Sequence, residues 1–402
     1  MNFITKFGCR AFQTVLRLAI PILPYRSPRV VERVQDIPGV LKEKGIKHVL
    51  LVTDGFLHTS GKLEPLKKAL SESGIQVTIY DEVVPNPTVW NVEIARERYI
   101  NEGCQGLIGF GGGSAIDCAK AVGARIARPR KTIPQMRGIL KVMKRIPFLI
   151  AVPTTAGTGS ETTLATVITD DKHDYKFPVN DFPLIPRVAV LDPEVTRTLP
   201  PYLTATTGMD ALTHAVEAYI GGSTTKDTRA DALEAARLIS ENLERAYRDG
   251  NDMEARSNMA QAAFLAGRAF SKSYVGYCHA VAHSLGGKYH IPHGLANAVL
   301  LPYTLESYGG AIYKKAKDIA VAMGIVDDTV SGEAATHQLI AHIRKMNADM
   351  GIPAKLAGIR AEDIPQLAKF AHKEANPLYP VPVLMDAREL QKLYYDVMEE
   401  SA

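Results

Sequence analysis

The chain has 402 residues, 46% of them hydrophobic, so it is long enough to bury the cores of two domains and is not disordered. Its 47 basic and 43 acidic residues leave a net charge of +4, which is too balanced for a nucleic-acid surface, and we expect a small-molecule ligand instead. The four cysteines form no CxxC pair, which predicts a reducing compartment, the cytoplasm, and no disulfide.

The first 30 residues are predicted to form a basic amphipathic extension. Up to residue 31 the chain has no acidic residue but five basic ones, at Lys6, Arg10, Arg17, Arg26 and Arg29. On a helix the first three share one side, and an apolar side is formed by Phe12, Val15, Leu16 and Ala19. Three interpretations stay open: the helix docks on the protein's own body or a subunit neighbour, it lies on a membrane surface, or it is a targeting peptide. A bilayer span is not expected, because the apolar run over 11–23 is short and contains Arg17.

From Gly45 to about Asp192 the pattern alternates short apolar runs with amphipathic helical stretches, which is typical of a parallel sheet with helical crossovers. The predicted strands are HVLLVTD (48–54), QVTIYDEV (76–83), GLIGFG (106–111) and FLIAVPT (148–154). Their continuous apolar character fits a sheet covered on both faces. Beyond about residue 195 the strand signals vanish. We therefore predict an α/β nucleotide-binding domain over 31–195 and an all-helical domain over 196–402.

A glycine loop follows the third of these strands, in GFGGGSAIDCAK (109–120). Gly111, Gly112 and Gly113 stand where backbone amides can approach a diphosphate, and Ser114 can cap the helix that follows. Asp117 of the same segment is counted with them as a candidate cofactor residue. The strict dinucleotide fingerprint is missing, because Ser114 takes the place of its third glycine. A tight strand-to-helix turn remains the alternative interpretation.

Two further segments favour a nicotinamide dinucleotide. Asp54 ends the first predicted strand, at the edge of the sheet where ligands bind, and its carboxylate could take the hydroxyls of an adenosine ribose. The same charge would repel a 2′-phosphate, so NAD is favoured over NADP; the alternative is a simple helix cap. In PTTAGTGSETT (153–163), small and hydroxyl side chains leave room for a flat ring and a sugar, although a flexible polar loop is also conceivable.

A cluster of histidines predicts a metal site. Asp210 and His214 are four residues apart on a predicted helix and share one face, and His279 and His283 repeat that spacing. His293 follows a proline that turns the chain, so a third imidazole can return to the same point. Three imidazoles and one carboxylate suit Fe(II), Zn(II), Co(II) or Ni(II), and spacing does not choose among them. The alternative is that these histidines are buried core or capping residues.

Taken together, these segments resemble the iron-containing alcohol dehydrogenase family, also called group III or iron-activated dehydrogenases. The matching pieces are VVPNPT, GGGSAIDCAK, PTTAGTGSE, YKF, GMDALTHAVEAY and HAVAHSLGGKYHIPHGLANAVLLP. The resemblance implies a dinucleotide-binding domain followed by a helical domain, and homodimers or larger assemblies. The sequence departs from the family pattern in two places. The usual N-terminal strand is not recognisable behind the basic extension, and the usual asparagine-proline-arginine segment is NPLYPVP (376–382).

The resemblance also implies roles for single residues. The metal, Fe(II) or alternatively Zn(II), is bound by Asp210, His214, His279 and His293. His283 matches a pocket histidine that passes a proton. Positions that line the dinucleotide are Asp54, Asn86, Gly113, Ser114, Thr154, Thr155, Thr158, Val167 and Lys176.

The expected reaction is hydride transfer between NAD(H) and a small alcohol, aldehyde or ketone, with the metal as Lewis acid. A polyol or hydroxyacid substrate is an alternative within the family. A lyase of the dehydroquinate-synthase type would need several cationic groups near the metal, and only Lys288 lies near the histidines in the sequence. A filament protein that has lost catalysis is the remaining alternative.

Overall fold

The computed structural model of the protein describes residue 1 and residues 3–172 and 175–399. Chain contacts divide it into two compact units. The α/β unit comprises residues 24–199, and the helical unit comprises residues 1–23 together with 200–402. No helix within the described ranges is both long enough and apolar enough to cross a membrane.

The regular elements follow one another with few long connections. The strands are β1 (Arg29–Val31), β2 (His48–Val52), β3 (Gln76–Tyr80), β4 (Gly106–Gly111), β5 (Gly138–Ile139), β6 (Phe148–Pro153), β7 (Ala165–Asp170), β8 (Tyr175–Asn180) and β9 (Val188–Val190). The helices are α1 (Phe3–Ala19), α2 (Ile37–Glu43), α3 (Gly55–Thr59), α4 (Glu64–Glu72), α5 (Val89–Asn101), α6 (Gly113–Ala127), α7 (Pro193–Thr196), α8 (Pro201–Ile220), α9 (Lys226–Arg248), α10 (Met253–Ser273), α11 (Tyr277–Tyr289), α12 (His293–Tyr308), α13 (Tyr313–Ala322), α14 (Gly332–Asp349), α15 (Ile364–Ala375) and α16 (Ala387–Val397).

A parallel sheet forms the centre of the α/β unit. Its order within the described residues is β1-β9-β6-β4-β2-β3, and its strand pairs are parallel. Successive strand residues enter separate cores on the two faces: Leu50 and Leu107 pack in one, Leu51 and Ile108 in the other. The predicted fold class, a parallel α/β domain followed by helices, is confirmed.

The neighbouring order of β2, β4 and β6 positions the candidate cofactor residues. Gly111 at the end of β4 is in register with Pro153 at the end of β6, and Val52 at the end of β2 pairs with Gly109. Because the strands are parallel, the segments that follow them emerge at the same edge of the sheet. Asp54, the glycine loop and the threonine-rich segment are therefore neighbours.

Two strand features were not predicted. The chain enters the sheet at β1, which pairs with β9 and leaves Arg29 and Val30 exposed; three residues are too few to give a periodic signal. β7 and β8 form an antiparallel hairpin, which joins β5 in a second sheet. The hairpin mixes threonines with apolar residues, so its sequence gave no clear strand signal.

The helical unit includes α1, which docks on the chain close to the C-terminal end of α15. Gln13 donates to the carbonyl of Tyr379 at 2.7 Å, and Arg10 donates to those of Val381 and Pro382 at 2.7 and 2.8 Å. Docking on the protein's own body was one of the open interpretations. Of the predicted apolar side, Phe12 and Val15 are exposed and Leu16 and Ala19 are half-buried, so that side is only partly covered.

Candidate metal centre and cofactor site

The four side chains considered as metal ligands lie together in the helical unit. Asp210 and His214 come from α8, where their spacing of four places them on one face, and His279 comes from the first turn of α11. α11 ends at Tyr289, and Pro292 then opens α12, whose first residue is His293. One ligand atom from each of the four side chains lies within 4.8 Å of the others.

The donor atoms converge on Asp210. Its Oδ1 is 3.5 Å from Nε2 of His293 and 3.9 Å from Nε2 of His279. The rings of His214 and His279 stack, with centroids 4.5 Å apart. Nε2 of His279 is buried and has no hydrogen-bond partner among the described residues. Burial, with the neighbouring histidines as the smaller cause, lowers the pKa of His279 well below its usual range, which favours the neutral imidazole that a metal binds. The donor set therefore fits a divalent transition metal.

Glu217 orients His279 and was not predicted. It lies on α8, and its carboxylate accepts hydrogen bonds from Nδ1 of His279 at 2.6 Å and from the amides of Gly276 and Cys278 at 2.8 and 2.9 Å. Burial raises the pKa of Glu217 to about 7. Carboxylates that fix the second nitrogen of a ligand histidine are common around metals. The sequence did hold a signal, because Glu217 is seven residues after Asp210 on the same helix face.

A second residue that was not predicted, Asn297, supports the other side of the group. Its Nδ2 donates to Oδ1 of Asp210 at 2.7 Å and lies 3.1 Å from Nε2 of His293. The side chain of Asn297 is fully buried on α12, one turn after His293. It therefore holds the carboxylate and one imidazole of the group in fixed positions.

His283 lies beside the ligand group but not within it. Its ring stacks on that of His293, with centroids 5.1 Å apart. Its Nδ1 is 2.6 Å from Oε1 of Glu374, which also accepts a hydrogen bond from the hydroxyl of Tyr379 at 2.8 Å. His290 is exposed, with a left-handed φ of 56°, and takes no part in the group. His283 is thus a partly exposed imidazole next to the ligands and tied to a carboxylate.

In the α/β unit the glycine loop has the form of a cradle for an anion. Gly111 has φ of +152°, and a Cβ there would lie 2.7 Å from Cβ of Ala115, so only glycine fits. A Cβ on Gly113 would lie 3.1 Å from Cγ2 of Thr158. The N-cap residue of α6 is Gly112, and it provides no side-chain cap. The first amides of α6 are therefore left for an anionic group.

Asp54 serves as a helix cap and still has an oxygen for another partner. Its Oδ1 accepts from the amide of Leu57 at 2.9 Å and caps α3. A Cβ built on Gly111 would lie 3.9 Å from Oδ2 of Asp54, so this second oxygen faces the glycine loop. The capping interpretation and a ligand-binding role are therefore compatible.

Three of the remaining candidates form a chain of polar contacts beside this loop. Lys176 Nζ donates to Oδ1 of Asn86 at 2.5 Å, and the amide of Asn86 donates to Oγ of Ser114 at 3.3 Å. Asn86 has a left-handed φ of 59°. The three side chains, which come from separate parts of the sequence, thus line one side of the cradle.

The threonine-rich segment is mostly buried and is held by the interior. The amide of Thr154 donates to the carbonyl of Gly111 at 3.0 Å. Oγ1 of Thr158 accepts from the amide of Ser160 at 3.3 Å. Oγ1 of Thr155 is buried and has no hydrogen-bond partner among the residues described, so its hydroxyl can still donate a hydrogen bond to a ligand. Two of these threonines therefore fix the segment, and the third has hydrogen-bonding capacity to spare.

Asp117, on α6, forms hydrogen bonds with this segment. Its oxygens accept from Oγ of Ser160 at 2.6 Å and from the amide of Val167 at 2.9 Å. Lys120, which was not predicted, is fully buried and donates to the carbonyls of Thr163 and Ala165 at 3.0 and 2.7 Å. Burial lowers the pKa of Lys120 to about 8. The observed contacts of Asp117 and Lys120 are those of residues that position the segment and the strand carrying Val167.

Comparison with known proteins identifies the family of the chain. Residues 30–193 match the family described as iron-containing alcohol dehydrogenase, and residues 204–398 match the C-terminal region of the Fe-containing alcohol dehydrogenase family. A 1,3-propanediol dehydrogenase of Citrobacter freundii is 42% identical over 361 residues, which cover 89% of this chain and 92% of that protein. An NAD-dependent methanol dehydrogenase of Bacillus methanolicus is 38% identical over 343 residues, covering 85% and 90%.

Solved structures agree with the sequence matches. A 1,3-propanediol oxidoreductase has a TM-score of 0.89 at 37% identity, with 93% of this chain and 99% of that chain covered. An alcohol dehydrogenase of Oenococcus oeni has a TM-score of 0.88 at 33% identity, covering 93% and 100%. This chain therefore belongs to the iron-containing alcohol dehydrogenase family of oxidoreductases.

Proposed function

We propose that the protein interconverts a small alcohol and its aldehyde or ketone with NAD(H), using a divalent metal held by Asp210, His214, His279 and His293. The observation that carries this proposal is the buried Nε2 of His279, which has no hydrogen-bond partner among the described residues and lies between a carboxylate and two further imidazoles. When bound, the metal supplies Lewis-acid polarisation of the substrate oxygen, and NAD supplies the hydride acceptor. The named relatives from Citrobacter freundii and Bacillus methanolicus support an alcohol substrate.

For the metal we propose Fe(II), with Zn(II) as the alternative. Three imidazoles and one carboxylate suit either ion, and the donor group contains no thiolate. The buried Glu217 would keep Nε2 of His279 directed at the ion, and Asn297 would hold Asp210. The family description favours iron.

We assign the proton transfer to His283. Its Nδ1 is 2.6 Å from Glu374, so when that carboxylate accepts the hydrogen bond, Nε2 is left to exchange a proton with the substrate hydroxyl. The side chain of His283 is 40% exposed, which gives the proton a path to solvent. The role of Glu374 in this step is to hold the ring.

For the dinucleotide we propose binding at the shared edge of β2, β4 and β6. The uncapped amides of α6 would take the diphosphate, and Oδ2 of Asp54 the ribose hydroxyls. Thr155 would donate its unmatched hydroxyl to the cofactor. The charge of Asp54 favours NAD over NADP because a 2′-phosphate would meet a carboxylate.

We further propose that the enzyme acts in the cytoplasm as a homodimer or larger homo-oligomer. The four cysteines are free and buried, which suits a reducing compartment. β1 lies at the edge of the sheet with two exposed residues, and such an edge can pair with another copy. Sedimentation velocity of the purified enzyme tests the oligomeric state.

A lyase acting on a phosphorylated substrate finds less support. Such a site needs free cationic groups near the metal, and Lys288 lies 3.7 Å from Asp363 instead. A polyol or a hydroxyacid remains a substrate to be tested beside simple alcohols.

One experiment tests the proposed reaction and its metal. The purified protein is analysed for bound metals, and NADH production is measured with short alcohols, diols, glycerol and hydroxyacids before and after chelation. We expect bound iron or zinc, turnover of at least one alcohol, and loss of both in His279→Ala. Full activity of the metal-free protein would exclude the mechanism, and bound metal without turnover of any alcohol would favour the lyase.

A further inference from the structure

The N-terminal helix α1 is attached to the protein by only one of its sides. Cys9 and Gln13 are 7% and 6% exposed, and Gln13 and Arg10 bond to carbonyls between Pro377 and Pro382. These carbonyls belong to NPLYPVP (376–382), so the two stretches that depart from the family pattern contact each other. The attachment uses these polar bonds and buries Cys9 and Ile20, and it leaves a different, apolar face of α1 uncovered.

The uncovered side is an apolar stripe. Its large side chains stand at positions 3, 4, 7, 15, 18 and 22, with the exposed Ala11 in the longer interval, so they fall along one face of the helix and its short extension. Each is between 67% and 84% exposed: Phe3, Ile4, Phe7, Val15, Leu18 and Ile22. An exposed apolar stripe of this extent on a folded protein marks a surface that binds something.

Positive charge borders the stripe. Lys6 and Arg17 are exposed on one flank of α1, and no acidic residue occurs before Glu32. Lys315 lies close to Arg17 and to Arg229: burial lowers the pKa of Lys315, and these two guanidinium groups lower it further. The flank of the helix is therefore cationic over its length.

We infer that α1 is a docking surface for anionic phospholipid membranes, on which it lies flat with its apolar stripe among the acyl chains. Exposed aromatic and aliphatic side chains beside basic ones are typical of helices that lie in the membrane interface. The lipid headgroups would neutralise the basic flank. A second copy that paired through the same face would bring two acid-free helices together, so charge disfavours that occupant.

The test uses the full-length enzyme and sedimentation with vesicles of phosphatidylcholine alone or mixed in equal parts with phosphatidylserine. We expect binding to the anionic vesicles, weakened by added salt, and little binding to phosphatidylcholine alone. Ile4→Glu should weaken the binding by about tenfold or more, because it removes apolar contact and adds a like charge. Ile100→Glu, which makes the same change at an exposed position of α5, should bind as the parent does.

Three results would overturn the inference. The first is that the parent protein does not bind anionic vesicles, and the second is that Ile4→Glu and Ile100→Glu weaken binding equally. The third is that the parent does not bind vesicles and that Ile4→Glu, but not Ile100→Glu, has a lower sedimentation coefficient than the parent. The last result would assign the stripe to contacts between copies. NADH-linked activity of each variant confirms that it is folded, since neither residue belongs to the metal or cofactor site.

Discussion

Oε2 of Glu217 lies 2.6 Å from Nδ1 of His279, and both side chains are almost completely buried. Because both oxygens of Glu217 already accept hydrogen bonds from the amides of Gly276 and Cys278, the carboxylate acts as the acceptor here as well. Nδ1 then carries the proton, and the lone pair of Nε2 is directed towards the other candidate ligands. The buried pair therefore presets the imidazole for a metal.

Glu217→Gln should lower metal affinity by about 10- to 100-fold. The amide of glutamine has one acceptor oxygen, whereas the carboxylate accepts from His279 and from two backbone amides, so one donor would lose its partner. Competition with a chromophoric chelator measures the affinity. Glu374→Gln is the matched control, because Glu374 contacts His283 rather than a ligand, and its metal affinity should equal that of the parent. Equal affinities in all three proteins would contradict the assignment of Glu217.

His283→Ala should lower kcat by about a hundredfold, in the range measured for general acid–base groups, and leave the metal content unchanged. Added imidazole should restore part of the rate, since the missing group is a proton carrier. Glu374→Gln should cause a smaller loss, because the ring remains and only its support changes. Elemental analysis separates the outcomes: loss of metal from His283→Ala would make it part of the ligand group instead.

Asp54→Asn should shift cofactor preference towards NADP. The asparagine oxygen can still accept from Leu57 and cap α3, so the fold is kept while the charge is removed. The ratio of kcat/KM for NADP over that for NAD should rise by about tenfold or more, corresponding to about 1.4 kcal/mol of relieved repulsion. An equal change with both cofactors would show that Asp54 acts through the cap alone.

Glu161→Gln should stabilise the protein at alkaline pH. Burial raises the pKa of Glu161 from an ordinary value near 4.5 to about 7, so the folded chain holds a proton that the unfolded chain releases. The stability from this proton is present below about pH 4.5 and is lost as pH rises through about 7. The neutral variant should therefore match the parent near pH 4.5 and exceed it at pH 8, by up to about 3 kcal/mol.

Urea unfolding at both pH values measures this difference. Glu102→Gln, at an exposed position, should give no pH-dependent gain. A gain of equal size at both pH values would assign the effect of Glu161→Gln to packing.

Much of the candidate metal group could be predicted because the helix repeat brings its members together. Asp210 and His214 converge by spacing, and the proline before His293 turns the chain as expected. The residues that hydrogen-bond to this group differ in how visible they are in the sequence. Glu217 and Asn297 lie at helical spacing from a ligand and could have been found, whereas Glu374 is 91 residues from His283 and has no local signature.

Less of the candidate cofactor site could be predicted from the sequence. Strand order places Asp54, the glycine loop and the threonine-rich segment at one edge, and a parallel sheet was predicted from the alternating pattern. The contact of Lys176 with Asn86 depends on the hairpin of β7 and β8, whose polar alternation gave no clear strand signal. A role for Asp117 in supporting a loop could not be separated from ligand binding without its partners Ser160 and Val167.

All four proposed ligands come from α8, α11 and α12, which belong to the helical unit. None of them is a residue of the α/β unit. Loading of the proposed metal therefore does not have to wait for the proposed nucleotide, and protein purified without NAD should be reconstituted with metal first.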